Sequence, residues 1–362
     1  MADPVIQSDV EVMFRSGGVD VAASLRTPAA DAVATAAGTA PVAAAVLVAG
    51  SGPVDRDENA DVPGPLGDLR IDSLRWLADQ LSELGIATLR YDKLGVGGTG
   101  PAPFGSPELQ AMDFADAYVQ PARDALAFLA DQPGIDADRL ALVGHSEGAC
   151  IALAVVVDPQ GAPAASRLAM VEPGYRRLFD EGRRQVVERL QALGLADDVF
   201  GALLAWVDRG VTTLRTTEPP FPAPEPPPFP DAASPIADAQ QLIQATLYGE
   251  RWGRLGQTAD RLDPPALAPQ VRVPTLVTVG TKDFNTPLAE PGGEGVGTLA
   301  ASFADGVAEL AVIPDMHHIL RDIGDAPVGT SLPEAVAHPW SEPFAAAFRG
   351  FFGEWATAGS PV

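Results

Sequence analysis

The residues most able to do chemistry lie in Gly144-His145-Ser146-Glu147-Gly148, a serine with a glycine two positions away on each side. The apolar run 140–143 directly precedes this segment, and the helix-compatible run 149–157 directly follows it. That order predicts a tight strand-to-helix turn with the serine at its strained tip. The glycines are required because a side chain at either position would strike the neighbouring strand or helix. A helix N-terminus beneath the hydroxyl also favours developing negative charge. The chemistry is nucleophilic attack by Ser146, which needs a base to take its proton and an acid to orient that base.

The chain has four histidines: His145, His317, His318 and His338. His145 lies inside the turn, where its neighbour's geometry points it away from the hydroxyl, and it reads as a packed or hydrogen-bonded strand-end residue. His338 sits in a proline-flanked loop without a supporting pattern. His317 and His318 follow the last apolar run. Two acids stand at the ends of apolar runs: Glu172 after 168–171, and Asp283 in Gly280-Thr281-Lys282-Asp283 after 274–279. No H-x-x-x-H spacing occurs, and a lone cysteine, Cys150, rules out a cysteine-rich zinc site. The glycines of Gly95-Val96-Gly97-Gly98-Thr99-Gly100 lack the Gly-Lys-Ser/Thr ending of a phosphate loop, and no ribose-binding acid follows at the expected interval. Neither a cofactor nor a metal is expected.

These residues need a scaffold, and the hydrophobic pattern supplies one. Apolar runs on consecutive residues at 43–49, 86–91, 140–143, 168–171, 274–279 and 309–313 suit strands covered on both faces. Two further strands are expected at 10–14 and 19–25. Leu74, Leu77, Leu81 and Leu84 recur at helical spacing, as do Ala122, Leu126 and Leu129, and an amphipathic helix is expected over 342–355. Strand and helix in alternation predict an α/β, mostly parallel, doubly wound sheet.

The rhythm breaks between residues 174 and 269. Helical stretches are expected at 176–195, 200–214 and 236–251, around a proline-dense passage at 219–230 that suits neither helix nor strand. The reading is a core of 1–173 and 270–362 with a helical cap, 174–269, inserted. Phe179, Leu190, Phe200, Leu203, Leu204 and Trp206 suggest either a hydrophobic substrate or the cap's own packing core.

With these elements in place the chain resembles bacterial α/β-hydrolases of the esterase and dienelactone-hydrolase-like group. The similarity covers most of the chain outside the cap. It rests on Gly50-Ser51-Gly52-Pro53-Val54-Asp55-Arg56-Asp57-Glu58 as a glycine-rich oxyanion loop, on Arg90-Tyr91-Asp92-Lys93-Leu94-Gly95-Val96-Gly97 as the following loop, and on the serine turn, acid loop and histidine loop in order. The resemblance implies the α/β-hydrolase fold, with Ser146 as nucleophile, Asp283 as acid and His318 as base. It favours His318 over His317 because the group carries an Asn-His pair before aliphatics, which places His317 at the Asn position. Glu172 competes with Asp283, since some α/β-hydrolases place the acid there. The backbone N–H groups of Ser51 and Glu147 are implied as the oxyanion hole. Ala49 stands where the group has a histidine that braces this loop, a departure that implies a less rigid loop. Asp55, Arg56 and Asp57 read as either a substrate contact or an ion-pair network. Glu147 reads as either an influence on substrate charge or a salt-bridged carboxylate.

The expected activity is hydrolysis of a carboxylic ester, or of a related thioester, lactone or amide. Acyl transfer by the same residues and a non-catalytic ligand-binding protein are the alternatives. A hydrophobic share of 46% and a charged share of 20% exclude a disordered chain. The net charge of -24 repels nucleic acid and anionic membrane surfaces. No run approaches the about 18 apolar residues of a membrane helix. Met1-Ala2-Asp3-Pro4 does not read as a signal peptide, and a single cysteine gives no sign of an oxidising compartment. The expected setting is cytoplasmic, with a small-molecule acyl substrate as partner; a homodimer is compatible with the pattern but not demanded by it.

Overall fold

The structure is a computed structural model that describes residues 9–28, 41–61, 67–100, 102–222, 225–228, 234–247, 253–290 and 292–357. The opening Met1-Ala2-Asp3-Pro4, part of the proline-dense passage and the end of the helix expected at 236–251 lie outside these residues. Among those described, the chain forms two compact units. One draws on 1–104, 118–175 and 264–362 and holds the sheet; the other draws on 105–117 and 176–263.

Eight strands form one sheet: β1 (Val10–Ser16), β2 (Val19–Arg26), β3 (Val42–Val48), β4 (Ala87–Tyr91), β5 (Ile135–His145), β6 (Arg167–Val171), β7 (Thr275–Gly280) and β8 (Ala308–Ile313). Their order across the sheet is β1-β2-β4-β3-β5-β6-β7-β8. The β1–β2 and β2–β4 pairs are antiparallel and every other pair is parallel. The mostly parallel, doubly wound sheet expected from the apolar runs is therefore present.

Alternation within each strand explains why those runs are continuous. Ala45, Leu47, Val143 and Val171 point to one face, where they pack with Leu74, Leu77 and Leu81 of helix Ser73–Glu83 and with Phe344, Phe348 and Phe352 of helix Glu342–Thr357. The residues between them, Val46, Leu142 and Met170, are equally buried and point the other way. Helices Gln120–Ala130 and Glu147–Val157 pack against β3 and β5. The edge strand β8 has a neighbour on one side only, and Leu310 and Val312 are exposed there.

Because β3 to β8 run parallel in sequence of their pairing, their C-terminal ends share one edge of the sheet. Gly50 and Ser51 follow β3, Lys93 follows β4, Ser146 follows β5, Glu172 follows β6, Asp283 follows β7, and His317 and His318 follow β8. In open sheets of this kind the loops at this edge carry the site.

The second unit has its own core. Phe179, Val186 and Leu190 of helix Leu178–Ala192 pack with Leu203, Trp206, Val207, Val211 and Leu214 of helix Asp197–Thr216 and with Ala239 and Ile243 of helix Ser234–Leu247. Phe200 packs against this cluster and Leu204 is half-buried. The apolar residues that suggested a hydrophobic substrate thus serve the unit's own packing, and they carry no information about what the protein binds. No helix among the described residues is long and apolar enough to cross a membrane.

Candidate active site

Ser146 sits at φ 54° and ψ -121°, between the last residue of β5 and the first residue of helix Glu147–Val157. A non-glycine residue there is strained and persists only when its surroundings over-determine it. The surroundings do so through the two glycines. A Cβ at Gly144 would stand 2.1 Å from the Gly148 carbonyl oxygen, and one at Gly148 would stand 2.1 Å from that of Val48. The Ser146 N–H donates to the Val171 carbonyl at 2.9 Å, tying the turn to β6.

The loop after β3 passes directly beside this serine, since a Cβ at Gly50 would lie 3.2 Å from Ser146 Cβ. Ser51, next in the chain, is exposed. The looseness implied by Ala49 is not found, because Gly50 is held at both of its backbone groups. Its N–H donates to Glu58 Oε1 at 2.6 Å, and its carbonyl accepts from the Lys93 ammonium. Lys93 Nζ also lies 3.5 Å from Glu147 Oε2 and 5.3 Å from the centre of the Tyr118 ring. Glu147 is therefore a salt-bridged carboxylate.

Asp55, Arg56 and Asp57 form a network around the same loop. The Arg56 guanidinium meets both Asp92 oxygens, at 3.1 and 2.8 Å, and also Glu11 and Ser24. Asp57 accepts from Arg90 Nε at 2.8 Å, and Asp55 Oδ1 accepts the N–H groups of Asp57 and Asn59, each at 2.9 Å. All three side chains are committed to holding the chain in place.

Of the two adjacent histidines, His318 is the one that reaches the acid. Its Nδ1 lies 2.7 Å from Asp283 Oδ2, and its side chain is 12% exposed. His317 is turned elsewhere: Nε2 donates to the Thr330 carbonyl at 3.1 Å and Nδ1 accepts the Ile319 N–H at 3.3 Å. Burial pushes the His317 ring below its usual proton affinity and keeps it neutral.

Asp283 is buried, and four donors converge on it. Oδ1 accepts the N–H groups of Asn285 at 2.7 Å and Thr286 at 3.0 Å; Oδ2 accepts the Thr286 hydroxyl at 2.7 Å as well as His318. Burial alone would raise this carboxyl. The His318 ring beside it, with the hydrogen bonds from His318, Glu172 and Thr286, reverses that and holds it well below the usual carboxylate range.

Glu172 shares the same pocket and has the opposite character. It is fully buried at φ 48°, with Oε2 accepting the Gly280 N–H at 2.9 Å and Oε1 the Thr278 hydroxyl at 3.3 Å. Burial, and then the Asp283 charge, push its carboxyl well above the usual range, which favours the protonated form of Glu172 beside a charged Asp283. Glu172, Asp283 and His318 are also the group of three among the described residues whose ligand-type atoms, within 4.8 Å of one another, could surround a metal ion. The Asp283 oxygens are already occupied by four protein donors, so the arrangement is satisfied as a hydrogen-bond network.

Two residues gained no role from the sequence. Glu58 braces Gly50 and contacts His145 Nδ1 at 2.8 Å. Lys93 was legible only as a member of the loop Arg90-Tyr91-Asp92-Lys93-Leu94-Gly95-Val96-Gly97. Cys150, in the first turn of the helix after Ser146, is a small buried residue. Burial pushes its thiol up to about 12, and Sγ donates to the Gly174 carbonyl at 3.4 Å.

A mostly parallel eight-stranded sheet, helices on both faces and a serine at a strained strand-to-helix turn define the α/β-hydrolase fold, and this chain has it. Among solved structures it is similar to DcsB in complex with its substrate analogue, at 15% identity and a TM-score of 0.56, covering 97% of this chain and 100% of that one. It is similar to Est1E from Butyrivibrio proteoclasticus with ferulic acid bound, at 14% identity and a TM-score of 0.52, covering 96% and 100%. It is similar, too, to a thermophilic esterase from Thermogutta terrifontis with malate bound, at 18% identity and a TM-score of 0.50, covering 97% and 100%. At these identities the likeness is one of fold. No protein-family model and no curated protein matches the chain.

Proposed function

We propose that this protein is a serine hydrolase that cleaves a carboxylic ester through an acyl-enzyme on Ser146. The observation that carries the reading is the His318 Nδ1 contact with Asp283 Oδ2 at 2.7 Å, at the same sheet edge as a serine held at φ 54°. The solved esterase of the same fold lends support at the level of fold.

Asp283 is ionised and accepts the His318 Nδ1–H. That fixes the tautomer with a free lone pair on Nε2. Nε2 takes the Ser146 proton as Oγ bonds the acyl carbon, and the backbone N–H groups of Ser51 and Glu147 receive the oxyanion. The proton then passes from Nε2 to the departing alcohol oxygen as the C–O bond breaks. Water, deprotonated by the same nitrogen, attacks the acyl-enzyme, releases the acid and restores the serine.

The test is intact-mass spectrometry after exposure to a fluorophosphonate, on the wild type and on Ser146→Ala. A single adduct on the wild type that is absent from the variant is expected, together with turnover of p-nitrophenyl esters. A folded wild type that takes no adduct and turns over no ester would overturn the proposal.

A further inference from the structure

The mechanism leaves His145 unused, yet its ring ties together two of the loops behind the site. It is buried, with Nδ1 2.8 Å from Glu58 Oε1 and Nε2 2.8 Å from the main-chain oxygen of His318. A carbonyl oxygen can only accept, so Nε2 carries a proton. Glu58 Oε1 already accepts the Gly50 N–H at 2.6 Å, and a carboxylate there accepts from Nδ1 as well. Against burial, the His145 ring and the Gly50 N–H hold the Glu58 carboxyl below its usual range, which favours an ionised Glu58 with both ring nitrogens donating, an imidazolium paired with a buried carboxylate.

The result is one continuous chain of hydrogen bonds. It runs from Gly50 to Glu58, from Glu58 to His145, and from His145 to the backbone of His318. Its first member opens the loop that passes beside Ser146, and its last is the residue whose ring meets Asp283. The partners lie 87 and 173 residues from His145 in the chain, so no local rule of the strand-to-helix turn requires them. A buried ion pair is costly unless hydrogen bonds accompany it, and here Glu58 Oε1 meets two partners and each ring nitrogen of His145 meets one.

We infer that His145 and Glu58 are positioning residues for this reaction: the protonated imidazole holds the main chain of His318 while Glu58 holds Gly50, so that base and oxyanion loop are fixed relative to each other, and loss of the His145 proton at alkaline pH uncouples them. The inference rests on the Ser146–His318–Asp283 reading. The titratable groups that face the ring are Glu58 from the loop after β3, Asp283 from the loop after β7 and His318 from the loop after β8, with its ring centre 4.9 Å away. Lys93, from the loop after β4, stands one step removed on the Gly50 carbonyl, and Glu147 next to Lys93. Burial draws the His145 proton affinity down, but Glu58, the His318 carbonyl and Asp283 outweigh it and leave it raised. A raised histidine is charged at neutral pH and loses its charge as pH climbs through the raised value, which puts the uncoupling on the alkaline side.

The full chain is used for the test. For the wild type, Glu58→Gln and His145→Gln, kcat and KM for p-nitrophenyl butyrate and the rate of fluorophosphonate labelling are followed from about pH 6 to about pH 10. Ring-nitrogen NMR follows the titration of His145, assigned by its loss in His145→Gln. In the wild type both His145 nitrogens are expected to be protonated at neutral pH, and the alkaline fall in kcat should track their titration. Glu58→Gln keeps the shape of the side chain but removes its charge. It should bring the titration and the alkaline limb down together by about one pH unit, and lower kcat by about tenfold at pH 8 with KM within about twofold. A side chain that only fills space would move neither the limb nor the ratio of kcat to KM.

The wild-type comparison requires no variant to fold. An alkaline limb that does not follow the His145 titration overturns the inference, as does a ring singly protonated at neutral pH, or a folded Glu58→Gln with a wild-type profile. In each of these cases labelling of Ser146 persists. Loss of labelling in the wild type overturns the underlying serine reading instead, and so the two failures are told apart.

Discussion

Glu172 and Asp283 place two buried carboxyl groups within 4.8 Å of each other and of His318, one after β6 and one after β7. Two carboxylates this close cannot both be ionised in a buried pocket, so the pair holds one proton. The donors decide where it goes. Asp283 receives two backbone N–H groups, a hydroxyl and an imidazole, which favour its charge, whereas Glu172 is fully buried against that charge and keeps the proton. The two acids that compete in the sequence thus lie in one pocket with opposite tendencies, Asp283 toward the charged form and Glu172 toward the neutral one.

A pH dependence of stability follows. The folded state holds a proton on Glu172 that the unfolded chain releases once pH exceeds the usual glutamate value, so the contribution is favourable below about pH 4 and declines as pH rises toward the raised folded value. Glu172→Gln removes the titration and keeps a donor for Asp283. Between pH 5 and pH 8 its melting temperature should decline less than that of the wild type, with kcat within about threefold. Differential scanning calorimetry across that range checks this, and parallel slopes would refute it.

Asp283→Asn should leave the fold intact and lower kcat by about ten-thousandfold. The amide cannot take up the imidazolium charge that forms on His318, and its NH2 group can force the wrong tautomer. Burst kinetics with a p-nitrophenyl ester would show whether the loss falls on acylation, as expected.

Gly148→Ala tests the turn itself. The added Cβ would stand 2.1 Å from the Val48 carbonyl oxygen and 2.7 Å from that of Ala49, both backbone atoms of the central strand and the loop it enters. Neither can yield cheaply, so a loss of about 3 kcal/mol is expected. Chemical denaturation reads it directly.

Lys93→Met removes the donor to the Gly50 carbonyl and leaves Glu147 without the cation beside it. The loop after β3 loses one of its two braces, and an unpaired carboxylate then stands next to Ser146. A fall in kcat of about tenfold is expected, with a smaller change in KM. The steady-state constants for a neutral ester check the split.

Leu203→Ala distinguishes packing from recognition in the second unit. Leu203 is fully buried among Phe179, Trp206 and Ile243, and truncation should cost about 2–5 kcal/mol. Limited proteolysis should show earlier cleavage within 176–263. Preference for ester chain length should stay unchanged, and a shift in that preference would return Leu203 to a substrate-contacting role.

The strands and the serine turn were legible because their determinants are local. A strand covered on both faces must be apolar at consecutive positions, as 43–49 and 140–143 are, and a serine at φ 54° in so tight a turn requires small neighbours, as Gly144 and Gly148 are. Pairing across the sheet is not local. Whether His317 or His318 meets Asp283 depends on how one loop turns, and sequence separated them only through a family resemblance. Glu58 closes a segment legible as a glycine-rich loop, but nothing in that segment shows which of its side chains reaches a distant partner. Its contact with His145 exists because β3 and β5 are neighbours in the sheet, which brings residues 87 positions apart into hydrogen-bonding distance. Composition and spacing thus determined the elements and the strained turn that carries Ser146. Tertiary structure alone decided which side chains share protons, because that depends on strand order and burial, and no stretch of sequence contains either.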